Sequence, residues 1–170
     1  MPKTKTAING ALYGIEAPAK PFPHVVHSLR HEFRDVKTVL DIGAGRGRFL
    51  EYFVHGVYKS RRGVWVNDVK PQIERYVAVE PYERSCERLR RLSNGVTEVV
   101  CRPWEEVRDI YLRGTYDMVI FWDVAMFVDL RPVYGVEDPA EALIRELGRL
   151  TSASRRWFLF SLHPVKRCVD

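Results

Sequence analysis

Short apolar runs alternate along this chain with longer amphipathic segments. A short apolar run bounded by turn residues is typical of a strand buried on both faces, whereas a longer amphipathic segment is typical of a helix. The runs predict strands at Thr38–Ile42, Tyr76–Val79, Thr97–Cys101, Met118–Phe121 and Trp157–Ser161. Because strands and helices alternate, the pattern indicates an α/β fold with a parallel sheet that helices cover on both faces.

The segments between these strands have recognisable helix ends. The predicted helices are Arg46–His55 before Gly56, Tyr82–Leu92 before Asn94 and Gly95, and Trp104–Leu112 before Gly114. A further helix has the clearest start, because Asp138 can cap it, Pro139 suits its first position and Glu141 can complete a capping box. We expect this last helix to bury Leu143, Leu147 and Leu150.

The segment His24–Val36 also has helical periodicity. At about 100° per residue, one face gathers Val25, Val26, Leu29, Phe33 and Val36. The opposite face carries His24, His27 and His31. Their spacing is compatible with a metal site, but no acidic residue is in register, so an ordinary solvated face is favoured and no metal is expected.

A long connection, Val57–Glu74, contains the basic and aromatic string Lys59–Val66. It is open to two interpretations. In the favoured one, a hairpin turns at Ser60–Gly63 and Trp65 packs against the domain. In the other, the basic residues and Trp65 contact a nucleic acid through charge and stacking.

The size and charge of the chain narrow the function classes. A length of 170 residues suits one domain, which we place at residues 23–170 after an N-terminal arm or hairpin at residues 1–22 turning at Asn9-Gly10. No apolar run approaches the ~20 residues of a membrane span, and no signal-peptide core follows the first residues, so a cytoplasmic protein is expected. The formal net charge of +5 allows an anionic partner such as RNA without requiring one.

Two residue types add weaker predictions. The 3 cysteines, Cys86, Cys101 and Cys168, contain no C-x-x-C pair, so reduced thiols are expected instead of a disulfide framework or a zinc site. Gln72 is the single glutamine, and Asn9, Asn67 and Asn94 are the asparagines. This scarcity of amide side chains favours a thermophilic source.

The string V-L-D-I-G-A-G-R-G-R-F-L at Val39–Leu50 carries most of the chemical information. It predicts a buried strand, a glycine-rich loop and a helix. The glycines should allow a tight turn and leave bare amides open to a ligand. The spacing excludes a dinucleotide fingerprint, because Arg48 stands where a third glycine is needed, and no P-loop string occurs.

The pattern D-x-G-x-G-x-G at Asp41–Gly47, with Glu80 after the next predicted strand, resembles the first motifs of the class I S-adenosylmethionine-dependent methyltransferases. Tyr116–Phe121, Glu141–Leu150 and Trp157–Ser161 resemble later landmarks of that family in the same order. The resemblance implies a single doubly wound, mainly parallel Rossmann-like sheet that lacks the family's last two strands. It implies methyl transfer from S-adenosylmethionine to a small-molecule acceptor, with S-adenosylhomocysteine as product. The alternatives are an RNA methyltransferase or RNA-binding subunit, and a non-catalytic cofactor-binding member of the fold.

The same resemblance implies a set of cofactor-binding residues. The methionine part would be held by Asp41, Gly43, Ala44, Gly45 and Gly47. Glu80 would accept both ribose hydroxyls, and Pro81 or Tyr82 would flank the adenine. The family's usual adenine-binding Asp is replaced by Pro103, so Glu105 or Glu106 would substitute for it, with Trp104 beside the base. A capped helix start with a buried Trp104 explains this segment equally well.

The segment after the fourth predicted strand departs from one branch of the family. It contains F-W-D instead of the N-P-P-Y string of members that methylate base or glutamine nitrogens. Phe121 and Trp122 would complete the cofactor site, with Trp122 and Asp123 facing the transferred methyl group. Asp123 is the candidate catalytic residue, because a carboxylate can orient or deprotonate an acceptor. A helix cap at Asp123 is an equally open interpretation.

The absence of the family's closing strands would leave Trp157–Ser161 at the edge of the sheet. Such edges are usually paired, covered or charged. A homodimer through residues 157–161, another subunit, or the N-terminal segment folded back would cover this edge.

Overall fold

The computed structural model describes residues 22–60, 63–124 and 128–161. The predicted turn at Asn9-Gly10 and Cys168 lie outside these ranges. The strands are β1 (Thr38–Ile42), β2 (Val57–Ser60), β3 (Gly63–Val66), β4 (Arg75–Val79), β5 (Thr97–Val100), β6 (Tyr116–Phe121) and β7 (Ser154–Phe160). The helices are α1 (His24–Ser28), α2 (Arg48–Leu50), α3 (Glu83–Leu92), α4 (Trp104–Tyr111), α5 (Arg131–Tyr134) and α6 (Pro139–Ala153). A 3₁₀ turn, Arg30–Phe33, follows α1, and a π-helical turn, Glu51–His55, continues α2.

Five strands form one sheet in the order β5-β4-β1-β6-β7, and all neighbours in it are parallel. This arrangement confirms the predicted Rossmann-like α/β fold and the five predicted strands, of which β7 begins three residues earlier than expected. The order of the chain reverses at β1, since β4 and β5 lie on one side and β6 and β7 on the other. In open parallel sheets, ligands bind at the carboxyl ends of the strands near such a reversal. Among the described residues, nothing pairs with the outer edge of β7.

Alternate residues of β1 face two separate core layers. Val39 packs with Phe33, Phe53 and Leu89, which belong to the helices before β5. Leu40 and Ile42 pack with residues of the later helices, namely Trp104, Val107 and Leu150. The sheet is therefore covered on both faces, as the alternation of elements predicts.

The predicted helix at His24–Val36 is wrong in its extent. The α-helix ends at Ser28, and the following 3₁₀ turn has a different number of residues per turn. The predicted apolar face is therefore buried only in part: Phe33 and Val36 do lie in the core. Val25 is 56% exposed and Leu29 is 40% exposed, whereas Val26 is buried. His27 lies against the core, with its Nδ1 2.7 Å from the hydroxyl of Tyr52.

The hairpin interpretation of the long connection is confirmed. β2 and β3 pair antiparallel, with Ser60 opposite Gly63. The ring of Trp65 lies 6.3 Å from Phe22, 4.6 Å from His24 and 5.2 Å from His27 between centroids. Trp65 therefore packs against the domain, as this interpretation requires. Residues 61–62 lie outside the described ranges.

Helix α6 begins as predicted, since the side chain of Asp138 accepts a hydrogen bond from the amide of Ala140 at 2.8 Å. Its buried face is rotated from the predicted one. Ala142, Glu146 and Leu150 are fully buried, whereas Leu143 and Leu147 are only partly buried. The buried carboxylate of Glu146 is hydrogen-bonded to Trp104, Arg108 and Tyr134. These partners compensate for the burial of its charge.

The expectation of reduced thiols is wrong for two cysteines. Cys86 and Cys101 form a disulfide, with their Cα atoms 5.9 Å apart. Cys86 lies in α3, which follows β4, and Cys101 directly follows β5. Because β4 and β5 are parallel neighbours, both residues come to the same end of the sheet. None of the helices in the described ranges is long and apolar enough to cross a bilayer.

Candidate functional site

The glycine-rich loop follows β1 at the carboxyl end of the sheet. Its amides are already hydrogen-bonded: Gly43 and Ala44 donate to the carbonyl of Val79 at 2.8 and 3.0 Å, Gly47 donates to the carbonyl of Ala44 at 3.0 Å, and Gly45 donates to Glu80 Oε2 at 2.8 Å. The prediction of bare amides in this loop is therefore wrong. The loop folds onto the end of β4 instead, which fixes its shape.

Gly45 and Gly47 have different structural reasons to be glycine. Both have positive φ, +56° at Gly45 and +82° at Gly47. A Cβ on Gly47 would lie 2.9 Å from Leu92 Cδ1 and 3.0 Å from Leu89 Cδ2, so this glycine permits close packing against α3. A Cβ on Gly45 would meet only the carbonyl oxygen of Gly43, at 3.8 Å. Gly45 therefore borders open space that a ligand can enter.

Glu80 places a buried carboxylate next to this open space. It is 7% exposed, and its two oxygens accept hydrogen bonds from the amides of Gly45, at 2.8 Å, and Tyr82, at 3.1 Å. Burial raises the pKa of Glu80, while the two amide bonds act in the opposite direction. An ionised carboxylate has about four acceptor positions, so two remain for further donors. Pro81 and Tyr82 follow it, partly buried, and lead into α3.

Asp41 lies beneath the loop. It is 1% exposed, and its Oδ2 accepts a hydrogen bond of 2.7 Å from the hydroxyl of Tyr76 on β4. Burial raises the pKa of Asp41 to about 7, against the lowering effects of Tyr76 and Arg48. In this arrangement the side chain links β1 to β4.

Asp123 follows the end of β6 at residue 121, at the same carboxyl end of the sheet as the glycine-rich loop. Its φ of +62° is the one positive φ of a non-glycine residue in the described ranges. Its Oδ2 accepts a hydrogen bond from Arg48 Nη2 at 3.0 Å, and its Oδ1 accepts one from the hydroxyl of Ser161 at 2.9 Å. The amide of Asp123 donates to Ser161 Oγ at 2.8 Å. We call Arg48, Asp123 and Ser161 the charged clamp, which joins the loop, β6 and the residue after β7.

The other predicted residues lie at different depths. Phe121 is fully buried in the core, and Trp122 is partly buried with its ring 6.1 Å from that of Phe49. Trp104 is 2% exposed and donates its indole N–H to Glu146 at 2.6 Å. This is the buried Trp of a helix start. Residues 125–127 lie outside the described ranges, so a helix cap at Asp123 stays a prediction.

Glu105 has an unused acceptor. Its Oε1 accepts a hydrogen bond from the amide of Asp129 at 3.0 Å, whereas its Oε2 is buried without a partner among the described residues. Burial raises the pKa of this carboxyl. A buried acceptor without a donor costs free energy, so this oxygen is suited to a donor that a ligand brings.

Two residues of the charged clamp were not predicted as site residues. Arg48 drew attention only as the residue that breaks a dinucleotide fingerprint, although an arginine at the start of the helix after a glycine-rich loop is a usable signal. Ser161 carries no such signal, because its role depends on the parallel pairing of β6 with β7.

No family model matches the chain, and no curated protein matches it. Among solved structures, the chain is similar to the plantazolicin methyltransferase BamL in complex with a triazolic desmethylPZN analogue and SAH. The identity is 13% and the TM-score is 0.45, over 87% of this chain and 43% of that chain. The chain thus spans less than half the length of that methyltransferase.

Proposed function

We propose that this protein is an S-adenosylmethionine-dependent methyltransferase that acts on a small-molecule acceptor. The observation that carries the proposal is the pairing of Glu80 with Gly45 at 2.8 Å, at the point where the strand order reverses. It combines a buried carboxylate that has acceptor positions to spare with a glycine that faces open space. An adenosyl cofactor uses both features, because its ribose offers two hydroxyl donors to the carboxylate and the chain that carries its sulfonium needs room beside the backbone.

Other residues around the crevice fit the two ends of that cofactor. Glu105 has a buried acceptor for the amino group of adenine, and Tyr82 and Pro81 would flank the ring. Arg48 would bind the carboxylate of the methionine part, because a guanidinium matches a carboxylate in charge and geometry. The remaining predicted residues would support the proposed cofactor site by packing around the residues that contact the cofactor. They are Asp41, Gly43, Ala44, Gly47, Trp104, Phe121 and Trp122.

When bound, the cofactor supplies an electrophilic methyl group on sulfur. The tasks left to the protein are alignment of the acceptor, exclusion of water and removal of a proton. Asp123 would orient the acceptor, because its carboxylate lies just beyond the carboxyl end of β6. Arg48 and Ser161 hold one oxygen each. A carboxylate held in this way is suited to receive a hydrogen bond from the acceptor in one fixed direction.

Calorimetric titration with S-adenosylhomocysteine tests the proposal. We expect the wild-type protein to bind, Glu80→Ala to bind at least about tenfold more weakly because it loses the ribose acceptor, and Gly45→Val to lose binding because its side chain fills the open space. Glu87→Ala, an exposed glutamate on α3, is the matched control and should bind like the wild type. A titration with NAD⁺ serves as comparison. A wild-type protein that ignores S-adenosylhomocysteine, or prefers NAD⁺, would remove the proposal.

The alternatives differ in what they require. Trp65 is packed into the domain, so stacking of RNA bases on it has no support among the described residues. A non-catalytic cofactor-binding protein would bind S-adenosylhomocysteine and transfer no methyl group to any fraction of a metabolite extract. Transfer of radiolabelled methyl groups to a small-molecule fraction favours the methyltransferase.

A further inference from the structure

A cluster of sulfur and charged groups lies beside the proposed adenosyl site without belonging to it. It consists of the disulfide Cys86–Cys101 together with Glu83 and Arg90. Cys86 is fully buried, whereas Cys101 is partly exposed. The disulfide thus has one sulfur in the core and one at the surface.

Each sulfur has a polar neighbour that suits its reduced form. Cys86 Sγ lies 3.1 Å from the carbonyl oxygen of Glu80, which can accept a hydrogen bond only from a thiol, since a disulfide sulfur carries no hydrogen. Cys101 Sγ lies 3.0 Å from Arg90 Nη2, and an arginine next to a cysteine favours the thiolate. The surroundings therefore accommodate a buried thiol at Cys86 and a thiolate at Cys101.

The same cluster is poorly suited to a metal ion. Glu83, Cys86 and Cys101 offer ligand atoms within 4.8 Å of one another. However, the guanidinium of Arg90 contacts both Glu83 Oε1, at 2.7 Å, and Cys101 Sγ. The guanidinium therefore already supplies the positive charge at this position. The chemistry that the cluster can carry out is that of its two cysteines.

The disulfide joins the two segments that frame the adenosine end of the proposed site. One contains Glu80 and Tyr82 and leads into α3 with Cys86, and the other runs from Cys101 to Glu105. Reduction would remove the covalent link, and the second segment would remain attached through β5, the buried Trp104 with its hydrogen bond to Glu146, and the hydrogen bond between Asp129 and Glu105. A looser segment pays more ordering entropy when a ligand binds.

We propose that Cys86–Cys101 is a thiol–disulfide exchange site for small thiols, and that its redox state sets the affinity of the neighbouring site for adenosyl ligands. The second half rests on the proposed function. In the first step an external thiolate attacks the exposed sulfur of Cys101 and the S–S bond breaks. Cys86 leaves as a thiolate that takes up a proton from solvent, and the resulting thiol donates a hydrogen bond to the carbonyl of Glu80. A second external thiol releases Cys101, so that two thiols are oxidised to one disulfide and the protein disulfide gains two electrons and two protons.

Alkylation of the folded chain tests the exchange site. A Cys168→Ser background removes the third cysteine from the count. Under native conditions we expect dithiothreitol to expose two alkylatable thiols, seen by mass spectrometry, with Cys101 modified first. Arg90→Gln should slow alkylation of reduced Cys101 at neutral pH at least about fivefold, because the thiolate fraction falls, whereas its exposed neighbour Arg91→Gln should not. A disulfide that is reduced only after unfolding, or equal rates in Arg90→Gln and Arg91→Gln, would overturn the exchange site.

Titration with S-adenosylhomocysteine tests the coupling. We expect the reduced protein to bind about tenfold more weakly than the oxidised protein, and Cys86→Ser with Cys101→Ser to behave like the reduced form. Chemical reduction of the wild type gives the same comparison if the double variant does not fold. Equal Kd values in the two redox forms would show a disulfide with a structural role only and overturn the coupling. No binding in either form would overturn the proposed function and the coupling with it, while the alkylation rates still decide on the exchange site.

Discussion

Asp123 is held in a backbone conformation that costs free energy. A non-glycine residue in the left-handed region costs about 1–3 kcal/mol, and such strain persists only where the surroundings hold it in place. Here the amide and one carboxylate oxygen bond to Ser161, and the other oxygen pairs with Arg48. Both charged side chains are largely buried, at 15% and 11% exposure, so screening by solvent is reduced. The charged clamp is therefore a fixed feature of this end of the sheet.

Replacement of Arg48 by methionine should weaken binding of the amino-acid end of the ligand and leave binding of its adenosine end unchanged. We expect Arg48→Met to weaken S-adenosylhomocysteine at least about tenfold, because a charge-assisted bond to its carboxylate is lost. Binding of 5′-methylthioadenosine, which lacks the amino-acid part, should not change. Isothermal titration with both compounds measures this difference. Arg84→Met on the exposed face of α3 is the control, and equal weakening of both compounds would contradict the assignment.

Asp41 should make stability depend on pH below neutrality. Its folded-state pKa of about 7 lies above its ordinary value of 3.8, so the folded chain holds this proton more tightly than the unfolded chain. The stabilisation is therefore complete at low pH and lost as pH rises through the folded pKa. Between about pH 4 and pH 7 we expect the free energy of unfolding to fall by about 1 kcal/mol per pH unit from this group, and to change little above pH 7. Urea titrations across this range should show a smaller fall in Asp41→Asn.

At the scale of elements, the glycine-rich loop and α3 are mutually dependent. The absent side chain of Gly47 lets Leu89 and Leu92 approach the loop, and the loop in turn holds Glu80 through Gly45. A change in this packing should therefore affect both stability and the candidate site.

Gly47→Ala should destabilise the protein by about 1–3 kcal/mol, because alanine at φ +82° is strained and its Cβ meets two leucines. Gly148→Ala is the matched control. Gly148 lies inside α6, where a Cβ meets nothing within 4 Å, so alanine should stabilise the helix by up to about 1 kcal/mol. Denaturant midpoints of the two variants should shift in opposite directions, and a shift in the same direction would argue against this packing.

The later helices are joined by a buried polar cluster. Glu146 on α6 binds Arg108 at 2.6 Å and the indole of Trp104 at 2.6 Å, both on α4. Glu146→Leu should cost about 3–5 kcal/mol, because Arg108 loses its buried carboxylate and keeps the exposed carboxylate of Asp109 and the hydroxyl of Tyr134 as partners. Adding Arg108→Met should recover much of that loss, as measured by chemical denaturation. A double variant as unstable as the single one would contradict a penalty from unpaired charge.

At the scale of the whole molecule, β7 is the strand whose surroundings matter most. Phe160 is 44% exposed, and the outer edge of β7 has no strand partner among the described residues. Exposed edges of this kind favour association. A chain without residues 1–20 should therefore sediment as a dimer or larger species in analytical ultracentrifugation. A sharp monomer would rule out both a second copy and the N-terminal segment as the cover of this edge.

A thermophilic source stays a prediction that a melting temperature can check.

The predictions that held depend on residues close together in sequence. The strand at Thr38–Ile42, the helix end at Gly56 and the cap at Asp138 each follow from a few neighbouring side chains. Two predictions, reduced thiols and bare loop amides, failed because Cys86 meets Cys101 and Gly45 meets Glu80, which are distant in sequence. Two others failed at the switch to a 3₁₀ turn after α1 and at the burial of a carboxylate in α6. Periodicity assumes one helix geometry and an apolar buried face, and neither assumption holds there.

By itself the sequence determined the succession of strands and helices along the chain, the glycine-rich loop and the acidic residue after β4, because local apolar patterns and turn residues encode them. Only the tertiary structure decided which distant residues meet: Arg48 with Asp123 and Ser161, Cys86 with Cys101, and Glu146 with Arg108. The physical reason is that a parallel sheet brings the carboxyl ends of separate strands to one edge. The contacts there are set by strand order and register, which a linear pattern does not contain.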